Sequence, residues 1–280
     1  MLLRVLLFRN LTDNIPKNIG LYSVGVMLLF LFRITINPFQ ILFGLFAFLL
    51  SYSSIYVLND FYDAEEDMKD EKKVPRKPLA RGVVTRNEAL WILLSFLILG
   101  LLLSISINLF FFGVVISMVF INMIYSIPLN GISDQSFEDV NLRSLKHTIL
   151  GLPLVFFMQL LKIFLPWTIS QATFQFPILF AIAFSLLYVI LFKGYKENLT
   201  IGESVKQTPI YFGAAVIVFV LSMSMYPNPI VQASVVLYVL AGIVFFRNSH
   251  LTDRRVLLLS PIYILLGILF IFYLVTNVAS

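Results

Sequence analysis

The sequence contains no cysteine and few charged residues, and both shortages narrow what the protein can be. With no Cys among 280 residues, disulfide bonds, thiolate metal sites and a cysteine nucleophile are excluded. Charged residues make up only 12% of the chain, whereas apolar residues make up 59% and the mean hydropathy is +0.93. A soluble globular domain has no use for that much apolar surface. The composition therefore predicts an integral membrane protein.

Long apolar runs divide the chain into segments that can each cross a membrane. A helix needs about 20 apolar residues to span the hydrocarbon core. Nine such runs occur, at residues 17–36, 38–58, 88–106, 108–128, 145–165, 172–193, 209–226, 229–247 and 255–276. We therefore predict an all-α fold, an integral membrane bundle of nine transmembrane helices. Because no Gly/Ser linker or low-complexity tract interrupts this pattern, residues 1–280 are predicted to form a single domain.

The basic residues predict which side of the membrane each loop faces. If the loops alternate across nine spans, 18 of the 20 Lys and Arg residues share the side of the N-terminus, and only Arg33 and Lys162 lie toward the other side. Positively charged loops face the cytoplasm, so the N-terminus is predicted to be cytoplasmic. All 15 Asp and Glu residues fall on that side too, which predicts an active site toward the cytoplasm. The net charge of +5 is modest, and the basic residues lie next to the predicted spans. No nucleic acid is therefore expected as a partner.

The segment that directly follows the second apolar run contains Asn59, Asp60, Asp63 and Asp67. Asn59, Asp63 and Asp67 are spaced at i, i+4 and i+8, with Asp60 beside them, so in a helix they all project to one side. Carboxylates are costly near lipid, and a group of them at a membrane boundary is a candidate functional site. Such a row suits Mg²⁺, which proteins usually hold through one or two carboxylates together with the phosphates of a ligand. The alternative is a solvated cytoplasmic helix whose acids are balanced by nearby lysines.

A basic segment comes next, and its prolines and glycine indicate an ordered turn rather than a helix. It covers residues 74–85 and places Arg76, Lys77 and Arg81 near the acidic residues. Cations in that position can bind the phosphate oxygens that a metal leaves uncovered. The alternative is an ordinary cluster of positive charges beside the third span.

Together, the acidic and basic segments resemble the UbiA superfamily of intramembrane prenyltransferases. The resemblance is carried by Asn59-Asp60-x-x-Asp63-x-x-x-Asp67 and by the Pro-Leu-Ala-x-Gly-x-x-Thr order at residues 78–85. Nine helices with polar loops after the second and sixth are similar to the layout of that family as well. The resemblance implies Mg²⁺ as cofactor, with Asn59, Asp60, Asp63 and Asp67 as its ligands and the three aspartates as catalytic residues.

The same resemblance implies which residues bind substrate around the metal. Asn59 and the basic residues Arg76, Lys77 and Arg81 are expected to contact the diphosphate. The segment Tyr125-Ser-Ile-Pro-Leu is similar to a Tyr-Ser-x-x-Leu segment of the family at the end of the fourth helix. Tyr125 is therefore expected to bind substrate too.

The loop after the sixth run carries a second, shorter resemblance. Lys193, Tyr195 and Glu197 are similar to a Lys-Arg-Tyr-x-Glu loop in one branch of the superfamily, the decaprenyl-phosphate phosphoribosyltransferases. Lys17-Asn18 is similar to the Lys-Asn pair that enters helix one in that branch. The likeness implies a catalytic role for Glu197 and substrate-binding roles for Lys17, Lys193 and Tyr195.

Three functions remain open from the sequence. The first is Mg²⁺-dependent transfer of a prenyl group from a polyprenyl diphosphate to an aromatic or hydroxyl acceptor. The second is transfer of ribose 5-phosphate from phosphoribosyl diphosphate to a polyprenyl phosphate. The third is a lipid-binding membrane protein or transporter without catalysis, which leaves the acidic and basic segments unexplained. The expected partners are an isoprenoid diphosphate or polyprenyl phosphate and membrane lipid, and the expected location is the plasma membrane of a prokaryote.

Overall fold

The computed structural model of the chain describes residues 9–69, 71, 74–126, 151–170, 172–189 and 220. The regular elements in these ranges are all helices. Six are α-helices, namely α1 (Arg9–Leu31), α2 (Pro38–Asp67), α3 (Arg86–Ile107), α4 (Leu109–Ser126), α5 (Gly151–Phe164) and α6 (Ile178–Val189). Short 3-10 turns lie at Val74–Arg76, Leu165–Ile169 and Thr173–Gln175.

Four of these helical segments are long and apolar enough to cross a membrane, which supports the prediction of an integral membrane protein. They are Pro38–Glu65, Arg86–Ile107, Leu109–Ser126 and Gly151–Ile169, and they coincide with the second to fifth predicted runs. α1 begins well ahead of the first predicted run, and its apolar part is the shorter stretch Asn18–Phe30. The seventh to ninth runs lie outside the described residues except for Val220, so the count of nine spans and the cytoplasmic N-terminus stay predictions.

α2 is longer than the hydrocarbon core of a membrane is thick, so its last turns are expected to extend beyond the core. Its 30 residues rise about 45 Å at about 1.5 Å per residue, whereas the hydrocarbon core is only about 30 Å thick. If Pro38 lies at one boundary of the core, the other boundary falls near Leu58. The residues from Asn59 to Asp67 then continue the helix into the polar region, on one shared side.

Glycines let α1, α2, α3 and α5 approach closely. A Cβ added to Gly100 of α3 would clash with the side chain and backbone of Ser51 on α2. Likewise, a Cβ on Gly25 of α1 would clash with the carbonyl of Ile163 on α5. Trp167 Nε1 donates a hydrogen bond of 3.1 Å to the carbonyl of Gly25 at the same contact. Small residues at helix contacts are typical of membrane bundles, where close packing replaces the hydrophobic effect as the driving force.

Apolar side chains fill the space between these helices and also cover part of the outside. Buried Phe48 and Phe111 join α2 to α4, and buried Trp167 joins the end of α5 to α1 and α6. On the outer faces of α3 and α4, large apolar side chains such as Trp91 and Phe120 are more than 60% exposed. Such a surface suits lipid rather than water.

Candidate active site

The end of α2 presents a row of four polar side chains, Asn59, Asp60, Asp63 and Asp67, which we call the acid row. Asp60 is 1% exposed and Asp67 is 3% exposed, whereas Asn59 and Asp63 are partly buried. The Oδ1 atom of Asn59 is itself buried and has no hydrogen-bond partner within the described part of the chain. Buried carboxylates are costly unless they are paired or bind a metal, so this arrangement calls for cations.

Lys77 brings one cation to the acid row. Its Nζ atom lies 2.5 Å from Oδ1 of Asp60 and 3.7 Å from Oδ2 of Asp67. The ammonium therefore bridges two carboxylates that are two helical turns apart on α2, and only 15% of the lysine side chain is exposed. The structure thus brings the predicted basic turn to the predicted acidic residues through this lysine.

Apolar residues hold the basic turn against α2. Leu79 and Val84 are buried in a cluster with Val57 and Ala64 of α2. Between them, Gly82 has a φ of +68°, a left-handed conformation that glycine adopts without a steric penalty. This local arrangement explains why Lys77, near the start of the basic turn, faces the acid row.

A capping box ends the basic turn and begins α3. The Thr85 hydroxyl accepts a hydrogen bond from the amide of Glu88 at 3.2 Å, and the Glu88 carboxylate accepts one from the amide of Thr85 at 2.9 Å. Such reciprocal bonds satisfy two amides that a helix start would otherwise leave open. The Pro-Leu-Ala-x-Gly-x-x-Thr segment is therefore a folded connection between α2 and α3, with Lys77 at its entrance.

Two other acids near the row, Glu65 and Glu71, are exposed to solvent, as the alternative interpretation of the sequence predicts for charged residues. Oε1 of Glu65 lies 2.6 Å from Nη2 of Arg86, but the two side chains are 73% and 57% exposed. Glu71 is exposed as well. Exposure thus separates these side chains from the buried Asp60 and Asp67.

The remaining predicted site residues are distributed differently. Arg81 is exposed, and Arg76 is the last residue of the 3-10 turn before Lys77. Lys17 lies in α1, directly before the buried Asn18. Tyr125 is partly buried on α4 and packs against an apolar cluster of Val155, Met158 and Val189. Lys193, Tyr195 and Glu197 lie outside the described residues.

The donor chemistry of the acid row fits Mg²⁺. Within the described ranges, no three His, Cys, Asp or Glu side chains lie close enough together to hold a metal ion. Mg²⁺ needs only one or two carboxylates, however, when phosphates supply other oxygens. The bridge made by Lys77 shows that Asp60 and Asp67 accept a cation between them, and Oδ1 of Asn59 adds a buried neutral oxygen.

A buried polar network that the sequence pattern did not predict lies on the same side of α2, farther from the helix end. Nζ of Lys162 donates a hydrogen bond to Oδ1 of Asn18 at 3.0 Å and lies 4.1 Å from the centroid of the Tyr52 ring. Nδ2 of Asn18 in turn donates to the Tyr56 hydroxyl at 3.0 Å. Tyr56 is one helical turn before Asp60, so the network adjoins the acid row.

The burial of Lys162 was not predicted from the charge pattern. Counting charges along the chain predicts that it lies toward the side opposite the acid row, and the structure shows that its side chain is 1% exposed and lies inside the bundle. The signal for a site was present in the sequence, because a lone lysine within an apolar run is costly and is by default a functional candidate.

The described helices and the acid row define an integral membrane protein with a buried polar site at one end of a helix bundle. More specifically, the chain belongs to the UbiA prenyltransferase family, whose model matches residues 21–278. This match confirms the family that the acidic and basic segments indicated. No curated protein matches the sequence significantly.

Solved structures share this fold over nearly the whole chain. A UbiA homolog from Archaeoglobus fulgidus bound to GPP and Mg²⁺ has a TM-score of 0.67 and 17% identity, and the match covers 96% of this chain and 99% of that one. The same homolog bound to DMAPP and Mg²⁺ gives the same values. A structure described for digeranylgeranylglyceryl phosphate synthase in membranes has a TM-score of 0.59 and 18% identity, covering 98% of this chain and 97% of that one. At sequence identities this low, these structural matches show that the fold is shared, and they show the fold alone.

Proposed function

We propose that the protein is a Mg²⁺-dependent intramembrane transferase that moves a prenyl group from a polyprenyl diphosphate to an aromatic or hydroxyl acceptor. The observation that carries this proposal is the acid row at the end of α2, with buried Asp60 and Asp67 bridged by Lys77. Membership of the UbiA prenyltransferase family supports it. The fold that the chain shares with a UbiA homolog, solved with GPP and Mg²⁺ and with DMAPP and Mg²⁺, supports it as well.

In this proposal the acid row holds the metal. Asp60, Asp63 and Asp67 supply carboxylate oxygens and Asn59 supplies the buried amide oxygen. When bound there, Mg²⁺ supplies charge neutralisation for the diphosphate as it leaves. Lys77 already lies beside the row, so its ammonium is positioned to donate hydrogen bonds to phosphate oxygens.

The position of the acid row suits an amphiphilic donor. The diphosphate would lie at the polar end of α2, while the isoprenoid tail would extend from there into the apolar interior of the helix bundle. Exclusion of water from that interior would protect the reactive carbon from hydrolysis.

Phosphoribosyl transfer to a polyprenyl phosphate is the second candidate. The Lys193, Tyr195 and Glu197 pattern in the loop after the sixth run favours it. Asn18, of the Lys17-Asn18 pair, is buried and donates a hydrogen bond to the Tyr56 hydroxyl. Tyr56 is one helical turn from Asp60, so Asn18 lies where a residue that contacts the reacting groups would be expected. In this version the same acid row binds the sugar diphosphate, and the lipid phosphate is the nucleophile.

A donor screen tests both candidates. Purified full-length protein in detergent is incubated with Mg²⁺ and either geranyl diphosphate or phosphoribosyl diphosphate, each with 4-hydroxybenzoate, geranylgeraniol or farnesyl phosphate as acceptor. We expect diphosphate release from the allylic donor, abolished by EDTA. Release from phosphoribosyl diphosphate alone would support the second candidate. If neither donor reacts and neither shows Mg²⁺-dependent binding, the protein is a lipid binder or transporter and both proposals are wrong.

A further inference from the structure

A second group of polar side chains is buried among α1, α2, α4 and α5. Asn18, Asn122, Gln159 and Lys162 are each at most 5% exposed. Burying polar groups in the apolar part of a membrane protein is costly, and the side chains found there are by default candidates for function. The acid row accounts for none of these four residues.

Lys162 places a positive charge at the centre of this group. Its ammonium donates to Oδ1 of Asn18 and lies against the face of the Tyr52 ring, 4.1 Å from the centroid. These two contacts orient the ammonium. An ammonium surrounded by protein rather than water attracts an anionic ligand strongly, because the local dielectric constant is low.

Gln159 adds an independent observation. It is 3% exposed, and its Oε1 atom is buried and has no hydrogen-bond partner among the residues that the structure describes. It precedes Lys162 by three residues on α5, so the two side chains project to the same side of the helix. A buried oxygen without a partner is uncommon and requires an explanation. A hydroxyl on a ligand held by Lys162 would supply the missing donor.

The remaining contacts tie this group to the acid row. Nδ2 of Asn122 donates to Sδ of Met158 at 2.9 Å and lies 3.4 Å from the Tyr52 hydroxyl. Tyr52 precedes Asp60 by eight residues on α2, which is about 12 Å along the helix axis. Asn18 bonds Tyr56, which is only about 6 Å from Asp60 along that axis. The group is therefore within reach of a molecule that reacts with a donor held by the acid row.

We propose that Lys162, Gln159 and Asn18 form the binding site for the second substrate, and that this site selects an acceptor carrying an anionic oxygen group, a phosphate or a carboxylate. The ammonium of Lys162 binds the anion, and Oε1 of Gln159 accepts a hydrogen bond from an O–H of the same molecule, either a hydroxyl or the remaining proton of a phosphate monoester. Naming the ligand an acceptor rests on the proposed function, whereas the preference for an anion rests on the contacts of these residues.

Binding of small probes to the purified full chain tests the proposal. The measurement is calorimetry in EDTA, so that the acid row carries no metal, with farnesyl phosphate, 4-hydroxybenzoate and uncharged farnesol as probes. At least one anionic probe should bind at least tenfold more tightly than farnesol. Tight binding of farnesyl phosphate would identify a lipid phosphate, and tight binding of 4-hydroxybenzoate an aromatic carboxylate.

Substitutions connect that preference to the named residues. Lys162→Met should weaken binding of the anionic probe at least tenfold, and Lys162→Arg, which keeps the charge, should weaken it less. The control is Lys69→Met, which removes an exposed lysine and should change nothing. If Lys162→Met does not fold, Gln159→Leu tests the same site, and the proposal requires at least threefold weaker binding in that variant.

The outcomes separate this site from the proposed function and from a structural role. Equal binding of farnesol and the anions, or unchanged anion binding in Lys162→Met, would overturn the proposal. So would equal losses of anion binding and of Mg²⁺-dependent geranyl diphosphate binding in a destabilised Lys162→Met protein, because that pattern indicates packing. Lys162-dependent anion binding in a protein that releases no diphosphate would leave this site standing and refute the proposed function instead.

Discussion

Two ion pairs at the end of α2 show how burial changes the importance of a charge. Asp60 and Lys77 are 1% and 15% exposed, whereas Glu65 and Arg86 are 73% and 57% exposed. An exposed pair contributes about 0–1 kcal/mol to stability. Removing one partner of a buried pair costs about 3–5 kcal/mol, because the other charge is left in a poor environment. Function and stability are therefore linked at Asp60 but not at Glu65.

Removal of any acid-row carboxylate should abolish transfer. Asp60→Ala, Asp63→Ala and Asp67→Ala are each expected to reduce Mg²⁺-dependent diphosphate release at least about 100-fold, since even residues behind metal ligands contribute about 10–100-fold. The assay is the donor screen described above, with size-exclusion profiles to verify folding.

Glu65→Ala is the matched control for these variants. It removes an acid from the same helix, but an exposed one that pairs with Arg86, so activity should stay within about twofold because surface pairs contribute little. Wild-type turnover in all three aspartate variants would contradict the assignment of the acid row.

Replacing Lys77 should affect metal and donor in opposite directions. The ammonium lies 2.5 Å and 3.7 Å from oxygens of Asp60 and Asp67, so it competes with a metal for the same carboxylates. Lys77→Met should tighten Mg²⁺ binding without donor about tenfold, or about 1.4 kcal/mol. In the presence of metal, the KM for geranyl diphosphate should rise, because a phosphate contact is lost.

Calorimetric Mg²⁺ titration and steady-state kinetics measure the two effects of Lys77→Met. Lys69→Met, which changes an exposed lysine, is the control and should leave both constants unchanged. Weaker Mg²⁺ binding in Lys77→Met would show that the lysine supports the metal rather than competing with it.

The close contacts between helices in this protein occur at positions occupied by small residues. α2 and α3 meet at Ser51 and Gly100, and α1 and α5 meet at Gly25 and Ile163. These approaches set the spacing of the helices that carry Asp60, Asn18 and Lys162. The site therefore depends on residues that touch no substrate.

A pair of glycine substitutions tests this dependence. Gly100→Val should destabilise the protein by about 3 kcal/mol, the upper part of the usual range for overpacking, because a Cβ there clashes with backbone atoms of Ser51. Gly113→Val is the control, since a Cβ on Gly113 meets no described atom within 4 Å. The measurement is thermal unfolding in detergent, and equal melting temperatures for the two variants would contradict the packing argument.

The placement of the chain across the membrane follows from the length of α2. Thr35 and Lys69 are exposed residues just outside its two ends. Because α2 rises about 45 Å and the hydrocarbon core is about 30 Å thick, we expect these residues to lie on opposite sides of the membrane. The distribution of Lys and Arg predicts that the side of Lys69 faces the cytoplasm.

Cysteine labelling tests this topology, and the natural chain contains no cysteine to interfere. In intact bacterial cells, Thr35→Cys should react with a membrane-impermeant maleimide, and Lys69→Cys should react only after lysis. The parent protein should stay unlabelled. Labelling of Lys69→Cys in intact cells would place the acid row outside and refute the predicted orientation.

Much of the site was predictable because its residues lie close together in the sequence. The helical repeat alone predicted that Asn59, Asp63 and Asp67 share a side, and α2 continues through Asp67 as that required. The prolines and glycine predicted a turn at residues 74–85. Those patterns did not indicate which of the three bases in the turn meets the acids, because the answer depends on how Leu79 and Val84 pack against α2.

The sequence by itself determined that this is a helical membrane protein of the UbiA family with carboxylates beside a membrane boundary, since composition, period and motif are local properties. Only the tertiary structure decided that Lys77 bridges Asp60 and Asp67, and that Lys162 contacts Asn18 across 144 residues of sequence. The physical reason is that such contacts arise from the packing of whole helices. Neither the charge of Lys162 nor its neighbours in the chain reveals which helix it will face.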